Sequence, residues 1–454
     1  MINKTLNRLK KLSAFDILIV IINAVLLLYL FEMDYVLMDD SASYINNKFF
    51  RTPSYPLFLD FFERLFGTHY LSFAVYFQIL LSFSVSFILS NTLRRYLGFG
   101  KYLFLIIYLQ LLYPVYGSMN ISNKIITESL TYSCLLIAIN YLVVFVFEKR
   151  IKHLIYFLSL SVLILSIRPQ FIFLYVIDFI VILYHTYKTK NLKQFSILFI
   201  LLLALIFSSS IFERTYNYIN HGFFSKIPFT GIQLITPQLY LSDKTDLELF
   251  EDYSDEQRTF LENIYSDIEA RKINYENNFM RSAAMPSSVY SLHFMSVYND
   301  ICWLVVVNNY ARMKGTNKNN LTPEQLIELD DFTISVSLKL LPVNYARLIK
   351  LYISNILYAL GGFSSAIFAF IITTTFFILL FKTKDEIYLL FSIVQILYFM
   401  NIMFVALFQP VLRRYSIYTD ILQVVFLTAF LFCVVIKMVL NNYKLNSNYV
   451  RNSR

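Results

Sequence analysis

Residues 34–59 read DYVLMDDSASYINNKFFRTPSYPLFL. They follow an apolar run over 14–33 and hold three aspartates, two basic residues and two prolines among aromatics. About 20 apolar residues are enough to cross a bilayer as a helix. The polar, turn-rich stretch is then the first loop to emerge from hydrocarbon, and that reading fixes how the rest of the chain is laid out.

Further apolar runs lie near 70–92, 102–118, 128–147, 152–167, 170–187, 195–212, 359–381, 386–408 and 420–441. With 14–33 they make ten expected spans. The runs 152–167 and 170–187 are separated only by Arg168-Pro169, so they also read as one broken span. Residues 346–358 read as an interfacial helix leading into the eighth span. Composition agrees: of 454 residues 57% are hydrophobic and 15% charged, against about 25% charged in soluble domains. The fold class is an all-α polytopic membrane protein.

Charge placement orients the spans. From Glu213 to Arg347 there are 12 basic and 17 acidic residues, a net of −5, so the remainder of this +9 chain carries +14. The basic residues fall in short clusters between apolar runs: LNRLKK, LRRYLGFGK, EKRIKH, KTKNLK and KTK. If ten spans alternate, all five lie on one side, which the positive-inside rule makes the cytoplasm. Both termini are then cytoplasmic, and clusters so placed are topology signals rather than a nucleic-acid surface. The basic N-terminus lacks a small-x-small cleavage site, so the first span reads as retained.

Four polar segments are expected outside: 34–69, the short loop near 119–127, the long region 213–347, and QPVLRRYSIYTD. The chain divides into an N-terminal membrane module (1–212), a mostly helical outer domain (213–347), and C-terminal spans with a cytoplasmic tail (348–454). No internal repeat is visible, unlike transporters built from inverted repeats.

Charges are costly at membrane depth, so those near span ends point to a cavity or a partner. Asp39 and Asp40 follow the first span, Arg51 lies in the same loop, and Glu128 opens the fourth. Arg168 ends the fifth, and Arg413 and Arg414 lie in the last outer loop. Each also has a plainer role: solvated loop acids, an acid in a helix's first turn, an interfacial arginine, a surface arginine pair. Asp178 sits in the middle of the sixth span, where a buried acid is functional or paired. Cys134, Cys302 and Cys433 imply neither a disulfide framework nor a zinc site. The five histidines are scattered, and HExxH, Walker A, GxGxxG and GxSxG motifs are absent from the sequence.

Asp40-Ser41-x-x-Tyr44, followed by Arg51-Thr-Pro53-Ser-Tyr55-Pro56, resembles the first outer loop of the GT-C membrane glycosyltransferases. The nearest likeness is to bacterial relatives of protein mannosyltransferases and of the lipid A aminoarabinose transferase. ITESL (126–130), SIRPQ (166–170) and VLRRYSIY (411–418) resemble later motifs of that family, in the same order. The resemblance implies transfer of a sugar from a polyprenyl-phosphate donor to an acceptor hydroxyl on a glycolipid, glycan or protein outside the plasma or inner membrane. It implies Asp40 as general base, with Asp39 as second choice. Arg413 and Arg414, then Arg51 and Arg168, would hold the donor phosphate. Tyr44, Tyr55 and Glu128 would position donor or sugar, and Tyr55, beside a proline, also reads as packing. The resemblance fixes no cofactor and leaves a divalent metal as an alternative, although this loop has Asp-Asp-Ser where many relatives carry Asp-Glu and so departs at the metal-assisting second acid. The rival functions are an O-antigen or capsule polymerase and a flippase of lipid-linked oligosaccharide.

Overall fold

A computed structural model describes residues 13–275 and 287–432. Residues 1–12, with all of LNRLKK, and 433–454, with Cys433 and the end of the tenth expected span, lie outside the described residues.

The described chain is helical, broken by one isolated bridge between Val36 and Lys124. In chain order the helices are α1 (Ala14–Phe31), α2 (Ser41–Ile45), α3 (Ser54–Phe66), α4 (Tyr70–Leu97) and α5 (Lys101–Tyr116). Then come α6 (Thr127–Glu148), α7 (Ile151–Ile167), α8 (Leu174–Thr189) and α9 (Leu192–His221). The outer region holds α10 (Thr230–Leu241), α11 (Asp255–Arg271), α12 (Ser287–Asn299), a π-helical turn Asp300–Val307, α13 (Asn308–Met313) and α14 (Pro323–Ala359). The chain closes with α15 (Phe363–Thr383), α16 (Glu386–Phe408) and α17 (Arg413–Phe430).

Seven helical segments are long and apolar enough to cross a membrane: Ala14–Phe31, Ser54–Leu97, Thr127–Glu148, Pro169–Thr189, Leu192–His221, Phe363–Thr383 and Glu386–Phe408. α5 and α7 are equally apolar but shorter, at 16 and 17 residues. α1, α9 and α15 leave most of their apolar surface uncovered, with Phe207, Phe363, Phe368 and Phe370 exposed. Such an exterior suits lipid rather than water, and this is the build of a membrane-embedded protein.

Local sequence explains several helix ends. Ser13 caps α1 with a reciprocal bond to Asp16, and Thr322 caps α14 the same way with Gln325, with Pro323 at the first helical position. Gly98 closes α4 in a left-handed conformation that a side chain would disfavour. The break between α7 and α8 is the Arg168-Pro169 junction. There Arg168 is extended (φ −148°) and Pro169 opens a short 3-10 turn through Phe173.

Helix ends gather at two poles. At one, the Asn123 side chain donates to Leu30 O (3.1 Å), Ser41 Oγ to Ile125 O (2.7 Å), Thr52 Oγ1 to Ile167 O (2.8 Å) and Gln170 Nε2 to Tyr415 O (3.2 Å). At the other, Lys101 Nζ donates to Ser13 Oγ (3.4 Å), Glu148 meets Arg95, Arg150 and His153, and Lys149 pairs with Glu386 (3.1 Å). Successive long helices run alternately between these poles.

Residues of α10–α14 form a second hydrophobic core, with Ile235, Leu239, Phe260, Ile264, Ile301 and Leu340 fully or almost fully buried. α10 and α14 approach so closely that a Cβ at Gly231 would lie 2.2 Å from Asp330 O, so only glycine fits there. α14 runs unbroken through 346–358, and its last turns (Tyr352, Ile356, Ala359) pack on Val405, Ala406 and Val411 at the first pole. The outer domain also holds the first loop: Phe50 lies 5.7 Å from Trp303 and 6.3 Å from Phe229, and Tyr216 Oη donates to Asn47 Oδ1 (2.8 Å). The loop carrying Asp40 is thus fixed from below by helix ends and from above by aromatic rings.

Candidate active site

The first loop is pre-shaped around Ser41. Its buried hydroxyl donates to Ile125 O and accepts from Met38 N (2.8 Å), which sets the preceding Asp40 at the start of α2. Ser43 Oγ donates back to Asp40 O (2.6 Å). Seven residues beyond Tyr44, Arg51 folds over this turn. Its Nε donates to Ser43 Oγ (2.7 Å), Nη1 to Tyr44 Oη (3.2 Å) and Nη2 to Asp40 Oδ1 (2.6 Å). The guanidinium also stacks over the Tyr44 ring, 4.5 Å from its centroid.

The other oxygen of Asp40 faces the start of α17. Arg414 Nη1 lies 3.4 Å from Asp40 Oδ2, so two guanidiniums from opposite ends of the chain bracket one carboxylate. Burial alone would raise the Asp40 pKa, but Arg51 and Arg414 outweigh it and hold the carboxyl below its ordinary value. Arg414 Nη2 donates to Tyr415 Oη (2.8 Å), while its Nε is buried and has no hydrogen-bond partner.

A second pair lies beside the first. Arg168 Nη1 meets Glu128 Oε1 at 2.9 Å, and their side chains are only 11% and 4% exposed. The same nitrogen contacts Thr127 Oγ1 (3.2 Å) and Tyr418 Oη (2.9 Å), and Nε donates to Gln170 Oε1 (2.7 Å). Tyr415 joins the two pairs: the guanidinium carbons of Arg168 and Arg414 each lie 4.9 Å from its ring centroid.

The structure therefore brings together Asp40, Tyr44, Arg51, Glu128, Arg168 and Arg414 from four separated segments. Tyr55 lies beneath them, fully buried with its ring edge-on to Tyr44 at 5.2 Å, where it packs. Asp39 and Arg413 are exposed, and the bonds of the cluster run through their neighbours Asp40 and Arg414 instead. Sequence reasoning passed over Ser43, Thr127, Gln170, Tyr415 and Tyr418. The signal for the two tyrosines was there: 414, 415 and 418 share one helical face in RRYSIY. Asp178 stands apart between α7 and α8, accepting from Ser161 Oγ (2.9 Å).

Three guanidiniums against two carboxylates leave one positive charge in excess, which suits an anion held by charge-assisted bonds. A divalent cation is poorly served. Both Asp40 oxygens face arginines, Asp39 is exposed, and among the described residues no three His, Cys, Asp or Glu side chains are grouped to hold a metal. No protein-family model, no curated protein and no solved structure matches the chain.

Proposed function

We propose that the chain is a multi-pass membrane glycosyltransferase of GT-C type, moving a sugar from a polyprenyl-phosphate carrier to an acceptor hydroxyl. The observation that carries this reading is the single carboxylate of Asp40 set between Arg51 and Arg414, with an unpaired N–H on Arg414. A base for the incoming alcohol and a cation for the departing phosphate are the two things such a transfer needs, and here they touch.

In the step itself, the acceptor oxygen forms a bond to the anomeric carbon while the bond from that carbon to the phosphate oxygen breaks. The electron pair of the broken bond stays on the phosphate, where Arg414 and Arg51 offset the growing charge. The acceptor proton passes to the Asp40 carboxylate. One direct displacement inverts the anomeric configuration. The Arg168–Glu128 pair and Tyr415 hold Arg414 in line.

Ten crossings complete the proposal, with α5, α7 and α17 added to the seven longer segments. KTKNLK, EKRIKH, LRRYLGFGK and KTK then lie at the pole of Glu148, which becomes the cytoplasmic side of a plasma or inner membrane. The site and the outer domain face away from the cytoplasm, where a lipid carrier enters sideways at headgroup depth and a glycolipid, glycan or protein acceptor arrives from outside.

The test is incubation of purified protein in nanodiscs with a panel of polyprenyl-phosphate sugars and mixed acceptors, reading release of the lipid phosphate. Release that depends on Asp40 supports the assignment. Lack of release across the panel, or release that Asp40→Asn leaves untouched, removes it.

A further inference from the structure

The three arginines differ in how fully the protein satisfies them. Arg168 is spent on Glu128, Thr127, Tyr418 and Gln170, and Arg51 on Ser43, Tyr44 and Asp40. Arg414 reaches Asp40 only at 3.4 Å and keeps a buried Nε–H without an acceptor. Its contact with Asp40 is the loosest of the three guanidinium–carboxylate pairs, against 2.6 and 2.9 Å for Arg51 and Arg168, so Arg414 is the arginine open to a better acceptor. Asp40 has the opposite condition. A guanidinium faces each of its oxygens and competes with an incoming hydroxyl for them.

A phosphate suits Arg414 better than this carboxylate does, because it offers more oxygens and fits the guanidinium fork at two donors. We propose that Asp40 occupies, in the free protein, the place on Arg414 that a lipid-borne phosphate takes, so that phosphate binding unlatches Asp40. This rests on the transferase reading and adds an order to it: the anionic donor binds first, and only then does the carboxylate become free to accept the acceptor's proton. Arg51, tied to Ser43 and Tyr44, stays in place and keeps the released carboxylate oriented. The protein thereby avoids a free base beside an empty donor site.

The latch sets a measurable cost. Apparent affinity falls in proportion to the competent fraction, so a site latched nine-tenths of the time binds about tenfold more weakly than an open one. The probe is a polyprenyl phosphate without sugar, titrated against the full chain in zwitterionic nanodiscs. Asp40→Asn should bind it about tenfold more tightly than wild type, and Arg414→Gln more weakly. Asp39→Asn removes the same charge from the exposed neighbouring carboxylate, and should change affinity less than Asp40→Asn. On wild type, infrared difference spectra should show a carboxylate band moving on binding, absent in Asp40→Asn.

Unchanged or weaker binding by Asp40→Asn, or a carboxylate band that stays still, overturns the latch and leaves a phosphate site standing. Equal affinity for inorganic phosphate and for the lipid overturns the lipid source. Lack of binding by wild type takes the transferase reading down with it.

Discussion

Both poles of the helix bundle carry ion pairs, yet they are built differently. At the Glu148 pole, Arg95 and Arg150 are 73% and 64% exposed and approach the carboxylate at 4.0 and 3.4 Å. At the Asp40 pole the paired arginines are 11 to 30% exposed, two of the three pairs join distant segments, and the Tyr415 ring lies between two guanidiniums. The exposed charges at the Glu148 pole mark where helices stop. Charges gathered and shielded at the Asp40 pole are expensive to assemble, which makes this pole the place to test for chemistry.

The largest effect should come from opening the most buried pair. Glu128→Ala or Arg168→Ala leaves one charge uncompensated, which costs about 3–5 kcal/mol. The expected outcome is loss of monodisperse protein in detergent, or a markedly lower thermal midpoint. Replacing both by leucine should recover most of it, since desolvation of both charges disappears together. A fully stable Arg168→Ala protein would erase the contrast between the poles.

Asp40→Asn comes next, with its effect on turnover larger than its effect on folding. On the transferase reading, loss of a general base lowers rate by about 10²–10⁴-fold, measured as lipid-phosphate release, with a thermal midpoint lowered far less than by Glu128→Ala. Asp39→Asn should keep near-normal turnover, because its side chain is exposed while Asp40 carries the ion pairs. Arg414→Ala should lower kcat/KM for the donor by roughly 10- to 100-fold, the worth of a charged hydrogen bond. Arg413→Ala, at an exposed position, should do far less.

These neighbouring pairs show where sequence reading ran out. Apolar runs of fixed length announced the helices, and costly charges at their ends announced the cluster, so Asp40, Arg51, Glu128 and Arg168 were legible before any coordinates. Between Asp39 and Asp40 only the resemblance chose, and between Arg413 and Arg414 nothing did, because a loop has no periodicity to set the phase. Only the helix starting at Arg413 could have done so, by placing Arg414 on the face of Tyr418. α14 misled differently. The stretch 346–358, read as an interfacial helix, is the last part of one long helix that continues past Pro342 to Ala359, where a proline usually breaks a helix. The outer domain was legible as helical, but not the π-helical turn that sets Trp303 against Phe50.

Titration separates two acids outside the membrane spans. Arg51 and Arg414 hold Asp40 below its ordinary value of 3.8 despite burial. Its stabilising ionisation is therefore complete above that value and lost only as pH falls through the lower folded one. The acid limb of kcat/KM should lie below the usual carboxylate range and move up in Arg414→Ala. Asp330 behaves in reverse: burial raises it to about 6, partly offset by the bond from Gly231 N. Its neutral form is the better tolerated, so its contribution to the domain's stability is fully present below 3.8 and is lost as pH rises through about 6. Trp303 is the chain's single tryptophan, and its emission during denaturant unfolding should report the slope. Asp330→Asn should flatten it.

The smallest effect belongs to the solvated pole. Arg95→Ala removes a partner 4.0 Å from Glu148 that is largely in water, while Arg150 and His153 still face the same carboxylate. Exposed pairs contribute little because water competes for both charges and long side chains lose freedom when held. Thermal midpoint, donor affinity and turnover should all match wild type at moderate salt. A clear loss of turnover would mean that the poles communicate along α4 and α6, and the division between a working pole and an anchoring pole would have to be redrawn.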